Sequence, residues 1–207
     1  QKIDYVTSCA NDFGVITAAY IAENLQLPGH DRFEVARLIA EKDRFKEFAQ
    51  KHNLLVIPSR GFSDVSDALN YIATASYPLI VKPVDAYSSR GVKKVTNEDE
   101  LRVAFEEAKN ISRTKNAIVE EFFVGEEISV DLFITDGKAN VLCISNSDKV
   151  KDDDHFAIFR GRCPVHASDE LKAEVARVAQ MIADAFGIKN APMLVQMLTD
   201  GEKVTVL

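Results

Sequence analysis

The spacing of hydrophobic positions changes several times along the chain, and each change predicts a different element. Residues 3–6 can form a short strand, and apolar positions three and four apart predict a helix over residues 14–27. A second helix is expected over residues 32–52, with an apolar stripe on one side. Charged residues, including Lys42 and Lys46, occupy much of its remaining surface.

The middle of the chain alternates between short strands and helices. LLVIPS predicts a strand, and Ser63 or Asp64 can cap a short helix that extends to Thr74. PLIVKPV and VKKVT predict two further strands, separated by a small polar loop. Asn97 is the expected N-cap of the next helix, with Glu100 placed as in a capping box.

The last part of the chain is typical of antiparallel sheet with one long helix. AIVEEFF predicts a strand, and EISVDLFI alternates strictly before the turn Asp136-Gly137 and the strand KANVLCIS. Apolar spacing predicts a helix over Asp169–Phe186 that stops at Gly187, and a final hairpin follows. The elements together predict an α+β protein with mostly antiparallel strands and a small β-β-α-β insertion.

Composition narrows the class of partner. The chain has 207 residues and a formal net charge of −7, which argues against nucleic acid or an anionic membrane as the main partner. A small phosphate ligand stays compatible with this charge, because local basic groups decide such binding. No signal peptide or apolar run of membrane-spanning length is visible.

The cysteines and the chain ends add two expectations. Cys9, Cys143 and Cys163 have no metal-ligand spacing, so we expect thiols in a reducing cytoplasm. The sequence begins without Met and ends on the apolar run VTVL, so we expect a piece of a longer protein, cut at both ends.

Lys82 closes an otherwise apolar strand and precedes a loop of small residues. A lysine in that place is usually solvated. Alternatively, Ser88, Ser89 and Gly91 allow backbone N–H groups to approach an anion closely, and Arg90 adds a positive charge. The lysine precedes the loop, so the segment is not a G-x-x-x-x-G-K-[ST] motif. Taken alone, the spacing leaves both interpretations open.

Adjacent carboxylates interrupt the apolar strand in IVEEFFVGEE. Strand alternation puts Glu120 and Phe122 on one side and Glu121 and Phe123 on the other. A buried carboxylate requires hydrogen-bond donors, and an adenine amino group or ribose hydroxyls are suitable donors. The alternative is a solvated pair on an edge strand.

Three segments in this order resemble the ATP-grasp superfamily, in its branch of carbamoyl phosphate synthases and carboxylate–amine ligases, which includes biotin carboxylase-like and D-alanine ligase-like enzymes. EKDRFKEFAQKHNLLVIPS resembles DK-x-x-x-K…GIPVP, with departures at Glu41, Asn53 and Leu55. YPLIVKPVDAYSSRGV resembles the strand, lysine and mobile phosphate-covering loop, although it is poorer in glycine. IVEEFFVGEEISVD is similar to V-E-E-F-I-x-G-x-E-x-S-V-D.

The resemblance implies a set of ATP-binding residues. Glu120 keeps the seven-residue spacing to Glu127 and is preferred over Glu121 as the adenine contact. The implied roles are phosphate neutralisation by Lys42 and Lys82, phosphate covering by Ser88, Ser89 and Gly91, acceptance from the adenine amino group by Glu120, backbone contacts to the adenine ring from Phe122 or Phe123, and ribose binding by Glu127.

The resemblance also implies Mg²⁺, or Mn²⁺, as a cofactor. APMLVQMLTDGEKVTVL places Gln196 at the first metal position, and the partner group Glu-x-Asn would begin after Leu207. Because an amide oxygen alone holds this hard cation poorly, we expect this chain by itself to bind nucleotide weakly and to catalyse little.

Charged residues between the strand KANVLCIS and the helix over Asp169–Phe186 stay unassigned. His155 beside Asp152–Asp154 is a candidate metal cluster, but such a run is more typical of a solvated loop. In the family, this region lines the triphosphate or an acyl phosphate, and a solvated loop is the alternative for four basic residues: Lys149, Lys151, Arg160 and Arg162.

The expected architecture is an ATP-grasp fold of two α+β lobes that clamp ATP. We expect a remnant of a preceding α/β domain at 1–30, packing helices at 31–66, a lid at 67–117 and a large lobe at 118–207. The implied activity is ATP-dependent activation of a carboxylate or bicarbonate as an acyl phosphate, which an amine then attacks. The alternative is a non-catalytic or regulatory ATP-binding module.

Overall fold

The computed structural model describes residues 2–8, 12–149, 156 and 158–207. Cys9, Lys151, Asp152–Asp154 and His155, about which the sequence raised expectations, lie outside the described residues. The helices in the described part are α1 (Asp12–Leu25), α2 (Phe33–Ala40), α3 (Lys42–Lys51), α4 (Val65–Tyr71), α5 (Glu98–Ile111) and α6 (Asp169–Phe186). The strands are β1 (Ser59–Phe62), β2 (Leu79–Pro83), β3 (Lys93–Val95), β4 (Ala117–Glu121), β5 (Glu126–Thr135), β6 (Lys138–Lys149), β7 (Ile158–Arg162), β8 (Ala191–Thr199) and β9 (Val204–Val206).

The first sheet is antiparallel and has the order β1-β4-β2-β3. Its buried face packs on α5 through Leu79, Val81, Val119 and Phe105. The sheet uses strands from residue 59 to residue 121, so it extends past both ends of the range expected for the lid. Its two central strands are β2 and β4, which carry Lys82 and Glu120.

The second sheet has the order β7-β6-β5-β8-β9 and packs on α6 and α3. The alternation predicted for β5 is confirmed, because Ile128, Val130, Leu132 and Ile134 are all buried. The helix predicted over Asp169–Phe186 is confirmed with those bounds, and Gly187 ends it in the left-handed conformation at φ 66°. The apolar side chains buried between this sheet and the helices α6 and α3 form the larger core.

The prediction of one helix over residues 32–52 is wrong. Glu41 has extended backbone angles (φ −93°, ψ 103°) and separates α2 from α3. At this break the backbone N–H of Lys42 donates to the carbonyl of Val84, 3.1 Å away, at the end of β2. A tertiary hydrogen bond therefore interrupts a helix whose apolar period continues through the break.

Several shorter predictions also need correction. Residues 3–6 form no strand, and in the LLVIPS segment Val56 makes an isolated bridge to Val206 while Ser59 begins β1. Strand β7 lies in a stretch for which the sequence predicted no element. The expected caps are present: Asp64 and Asn97 each accept a hydrogen bond from a backbone N–H of their helices. None of the described helices has the length and apolar character that crossing a membrane requires.

Candidate functional site

A cleft of about 1430 Å³ receives side chains from both sheets and from α3. Nine of the residues predicted from the sequence line it: Lys42, Lys82, Ser88, Ser89, Glu120, Phe122, Phe123, Glu127 and Gln196. Gly91 does not line the cleft. A side chain there would meet Ile111 Cδ1 at 2.7 Å, and φ at this residue is +74°. The fold therefore brings together residues that are far apart in the sequence.

The centre of the cleft is a buried cluster of three charged residues. Lys82 Nζ lies 2.8 Å from Glu120 Oε2, and Lys46 Nζ lies 3.5 Å from Glu120 Oε1. Glu120 is 2% exposed and Lys82 is 7% exposed. The alternative of a solvated strand end is therefore wrong for both residues. The neighbouring Glu121 is exposed, as expected for the opposite side of the strand.

Burial and charge act in opposite directions on these groups. Burial alone would raise the pKa of the Glu120 carboxyl, but Lys82 and Lys46 beside it hold that pKa below its ordinary value. Burial lowers the pKa of Lys46 to about 8, although the nearby Glu120 partly opposes this shift. The carboxylate thus stays ionised at neutral pH inside the protein.

Lys46 was expected on the polar side of its helix, and that expectation is wrong. Its side chain is 2% exposed, and Phe45 and Ala49 are the other buried residues of α3. The sequence did contain a signal. Lys46 stands three residues before the apolar Ala49, on the inner side of the helix, and it occupies the second lysine position of DK-x-x-x-K.

Lys42 begins α3 and reaches the loop that follows β2. Its Nζ donates to the carbonyl of Ala86 and lies 5.2 Å from the centre of the Tyr87 ring. Tyr87 in turn meets Phe13 of α1 edge-on, with ring centres 5.1 Å apart. Lys42 therefore lies where α1, α3 and the loop converge.

The polar loop has an unusual backbone. Ser88 and Ser89 both have φ of 57°, in the left-handed region that residues other than glycine seldom adopt. Ser89 Oγ donates to the carbonyl of Phe156, 3.0 Å away, in the segment between β6 and β7. Non-glycine residues held in this region are often found at ligand-binding sites.

The chain passes from the first sheet to the second through the four residues Phe122–Gly125, between β4 and β5. Phe122 lies beneath the ammonium group of Lys94, 4.2 Å from its ring centre. A Cβ at Gly125 would lie 2.3 Å from the carbonyl oxygen of Thr199. This linker can approach β8 so closely only because residue 125 is glycine.

Glu127 follows the linker and is buried, with an exposure of 7%. Lys149 Nζ lies 2.7 Å from its Oε2, and Gln196 Nε2 donates to its Oε1 over 2.9 Å. Because β5 pairs with β8, Glu127 and Gln196 are held on neighbouring strands. Both carboxylate oxygens therefore have protein partners.

The basic residues near the end of β6 fall into two groups. Lys149 contacts Glu127, whereas Arg160 and Arg162 both bind Asp148, at 2.7 and 2.9 Å. Hydrogen bonds from the two guanidinium groups hold the pKa of Asp148 below its ordinary value. The side chains of Asp148, Lys149, Arg160 and Arg162 all line the cleft, so this part of its wall is strongly charged.

A divalent metal finds few ligands among the described residues. They contain no group of three or more His, Cys, Asp or Glu side chains that could hold an ion. Gln196 offers one amide oxygen, since its nitrogen donates to Glu127. Mg²⁺ prefers octahedral oxygen coordination that includes carboxylates, so these residues alone do not fit a complete magnesium site.

Comparisons with known proteins agree with this geometry. A family model described as an ATP-grasp domain matches residues 75–207. The carbamoyl phosphate synthase large chain of Halobacterium salinarum is 29% identical over 173 residues, which cover 80% of this chain and 16% of that protein. The chain thus spans about a sixth of the length of this relative.

Solved structures share the fold. An L-amino acid ligase from Bacillus licheniformis has a TM-score of 0.82 at 22% identity, over 98% of this chain and 47% of that one. The biotin carboxylase domain of 2-oxoglutarate carboxylase from Hydrogenobacter thermophilus, solved with MgADP, ADP and bicarbonate, has a TM-score of 0.77 at 17% identity, over 92% and 44%. The family match over residues 75–207, on a fold and cleft of this kind, shows that the chain belongs to the ATP-grasp family.

Proposed function

We propose that the protein binds ATP in the cleft and uses it to activate a carboxylate or bicarbonate as an acyl phosphate, which an amine then attacks. The observation that carries this proposal is the placement of Glu120 between two lysines, in one cleft with Glu127 and joined to it by the short linker. The similar proteins named above are a synthase, a ligase and a carboxylase, which favours catalysis over a non-catalytic binding module.

The linker side of the cleft is the proposed nucleoside site. Among the described residues, Glu120 Oε1 makes no hydrogen bond and has only the ion-pair contact with Lys46 Nζ at 3.5 Å, so it can accept from the adenine amino group. The backbone of Phe122 or Phe123 would contact the adenine ring. Glu127 would accept from the ribose hydroxyls, in exchange for part of its present pairing with Lys149 and Gln196.

The lysine side of the cleft is the proposed phosphate site. Lys42 and Lys82 would neutralise phosphate oxygens, and Ser88 and Ser89 would lie over them, while Gly91 would shape the loop without touching the ligand. Such positioning and charge neutralisation are the main contributions of a protein to phosphoryl transfer. A catalytic ATP site of this kind needs cations on the transferred group and a loop that excludes water.

The chemistry takes place in two balanced steps. A carboxylate or bicarbonate oxygen attacks the γ-phosphorus, the bond to the bridging oxygen breaks, and ADP leaves. The amine then attacks the acyl carbon, inorganic phosphate leaves, and the amine loses a proton. Charge neutralisation by the lysines would assist the first step, and closure of the serine loop would protect the acyl phosphate from water.

The described residues would supply only part of a magnesium site. The ion, when bound with ATP, supplies charge neutralisation at the phosphates. Gln196 would contribute one amide oxygen to the ion.

The cytoplasmic location expected from the cysteines stays a prediction.

Two experiments test the proposal. Calorimetry of the intact protein with ATP and Mg²⁺ should give binding that Lys82→Ala and Glu127→Ala each weaken at least tenfold, about 1.4 kcal/mol. Unchanged affinity in both variants would refute the nucleotide site. A screen of ADP release against bicarbonate, amino acids and small carboxylates should then identify the acceptor, and ATP binding without any acceptor-dependent release would favour the non-catalytic module.

A further inference from the structure

Lys46 is buried deeply for a lysine and connects three elements. From α3, its Nζ lies 3.5 Å from Glu120 Oε1 on β4 and donates to the carbonyl of Val206 on β9 over 3.3 Å. Its side chain is 2% exposed. A lysine is seldom buried to this extent without a charged partner, and here the partner is a predicted ligand-binding residue.

Among the residues that the structure describes, two charged side chains act on Lys46. Glu120 approaches it from β4 and Lys82 from β2, whereas β9 contributes the Val206 carbonyl. Two ammonium groups and one carboxylate leave the cluster with one net positive charge. If Lys46 were neutral, Glu120 would balance Lys82 completely, and the cluster would present no net charge to an anion.

We propose that Lys46 is a positioning residue of the nucleotide site, which fixes Glu120 and balances its charge so that the Lys82 ammonium stays available to a phosphate. This inference rests on the proposed function. Lys46 acts through Glu120, because its own ammonium group is already engaged by a carboxylate and a carbonyl. Without the Lys46 charge, Lys82 still holds Glu120 through its Oε2 atom, 2.8 Å away, so adenosine, which carries no phosphate, should depend on Lys46 much less than ATP does.

Because Lys46 loses its proton near neutral pH, the proposed role predicts a pH dependence of ATP affinity. Its pKa is about 8, so the charge is present at pH 7 and largely absent at pH 9. Affinity for ATP should fall across that interval. An arginine at this position stays protonated at pH 9, and a methionine is neutral throughout, so neither variant should show this fall.

The test is calorimetry of ATP and of adenosine at pH 7 and pH 9, on the intact protein in its native form and as Lys46→Met and Lys46→Arg. Lys138→Met, which removes an exposed lysine at the start of β6, is the matched control. At pH 7, Lys46→Met should bind ATP about tenfold more weakly and adenosine within about twofold of the native value, because a charge effect on phosphate is expected. The affinity of the native protein for ATP should fall about fivefold from pH 7 to pH 9. Neither variant should show this roughly fivefold fall.

The outcomes separate the possibilities. Unchanged ATP affinity in Lys46→Met would overturn the inference, and an equal loss for ATP and adenosine would identify Lys46 as a merely structural residue. Circular dichroism checks that each variant folds. If arginine does not fit the buried position, the pH dependence of Lys46→Met against the native chain still decides the question. Absence of ATP binding by the intact native protein would refute the proposed function, and this inference with it.

Discussion

Lys82 and Glu120 form a buried ion pair between the two central strands of the first sheet, with 2.8 Å between Nζ and Oε2. The strands are in antiparallel register, with Ile80 opposite Glu120 and Lys82 opposite Ile118. The pair therefore couples the strand that precedes the serine loop to the strand that precedes the linker. A substitution of either partner should affect both sides of the cleft.

Removing the Lys82 ammonium should reduce stability as well as nucleotide affinity. Lys82→Met leaves Glu120 with Lys46 as its remaining charged partner, and loss of one partner of a buried pair typically costs about 3 kcal/mol or more. Urea unfolding measures this difference. Lys138→Met, at an exposed position, should change the free energy of unfolding by less than about 0.5 kcal/mol. Equal urea midpoints for Lys82→Met and Lys138→Met would contradict a stabilising ion pair between Lys82 and Glu120.

Glu127 should be essential for nucleotide binding because of its proposed contact with ribose. Glu127→Gln keeps the shape of the side chain but weakens its pairing with Lys149 and its acceptance from Gln196. We expect at least tenfold weaker ATP binding, about 1.4 kcal/mol, in a calorimetric titration. Glu202→Gln makes the same charge change on the exposed turn before β9 and should bind ATP like the native chain. A similar loss in both variants would indicate a general charge effect.

The linker should tolerate no side chain at Gly125. In Gly125→Ala the new Cβ would lie 2.3 Å from the Thr199 carbonyl oxygen and 2.5 Å from Phe123 Cε1, so the backbone must move. We expect about 1–3 kcal/mol of destabilisation, measured by thermal or urea unfolding. Gly161→Ala is the control, because its nearest contact would be the Asn146 carbonyl at 3.9 Å. Full stability of Gly125→Ala would contradict this close approach.

Stability should rise with pH because of Lys46. Its pKa is about 8 in the folded chain and 10.5 when unperturbed, so between these values the unfolded chain binds more protons. The free energy of unfolding should therefore gain about 2 kcal/mol from this group between pH 7.5 and 9.5. The gain should be absent from Lys46→Met, whose other titrating groups are unchanged. Parallel pH profiles of the two proteins would place the pKa of Lys46 elsewhere.

The sequence predicted elements best where local signals and packing agree. The period of α6 and the left-handed stop at Gly187 depend on neighbouring residues, and the structure has both. The break at Glu41 depends on a hydrogen bond from Lys42 to Val84, which no local pattern encodes. Strand β7 forms beside β6 with exposed residues, so it shows no hydrophobic alternation.

The same distinction applies to the cleft. The segments around Lys82 and Glu120 carry recognisable motifs, and both side chains line the cleft. The sequence predicts the wrong side of the helix for Lys46, because a charged residue within a helix is usually solvated. Its partner Glu120 lies on a strand that is distant in sequence. The pairing of Glu127 with Lys149 was likewise not visible, because only the fold brings β5 and the end of β6 together.

The hydrogen bond from Ser89 to the Phe156 carbonyl joins two residues that line the cleft, one in the loop after β2 and one between β6 and β7. A bond of this kind contributes only about 1 kcal/mol, so thermal motion can break and remake it readily. It would therefore hold the serine loop only weakly against the segment between β6 and β7, and it would slow release of the proposed nucleotide more than its entry. Because Kd is the ratio of the release rate to the entry rate, loss of this bond should shorten residence time and weaken affinity together.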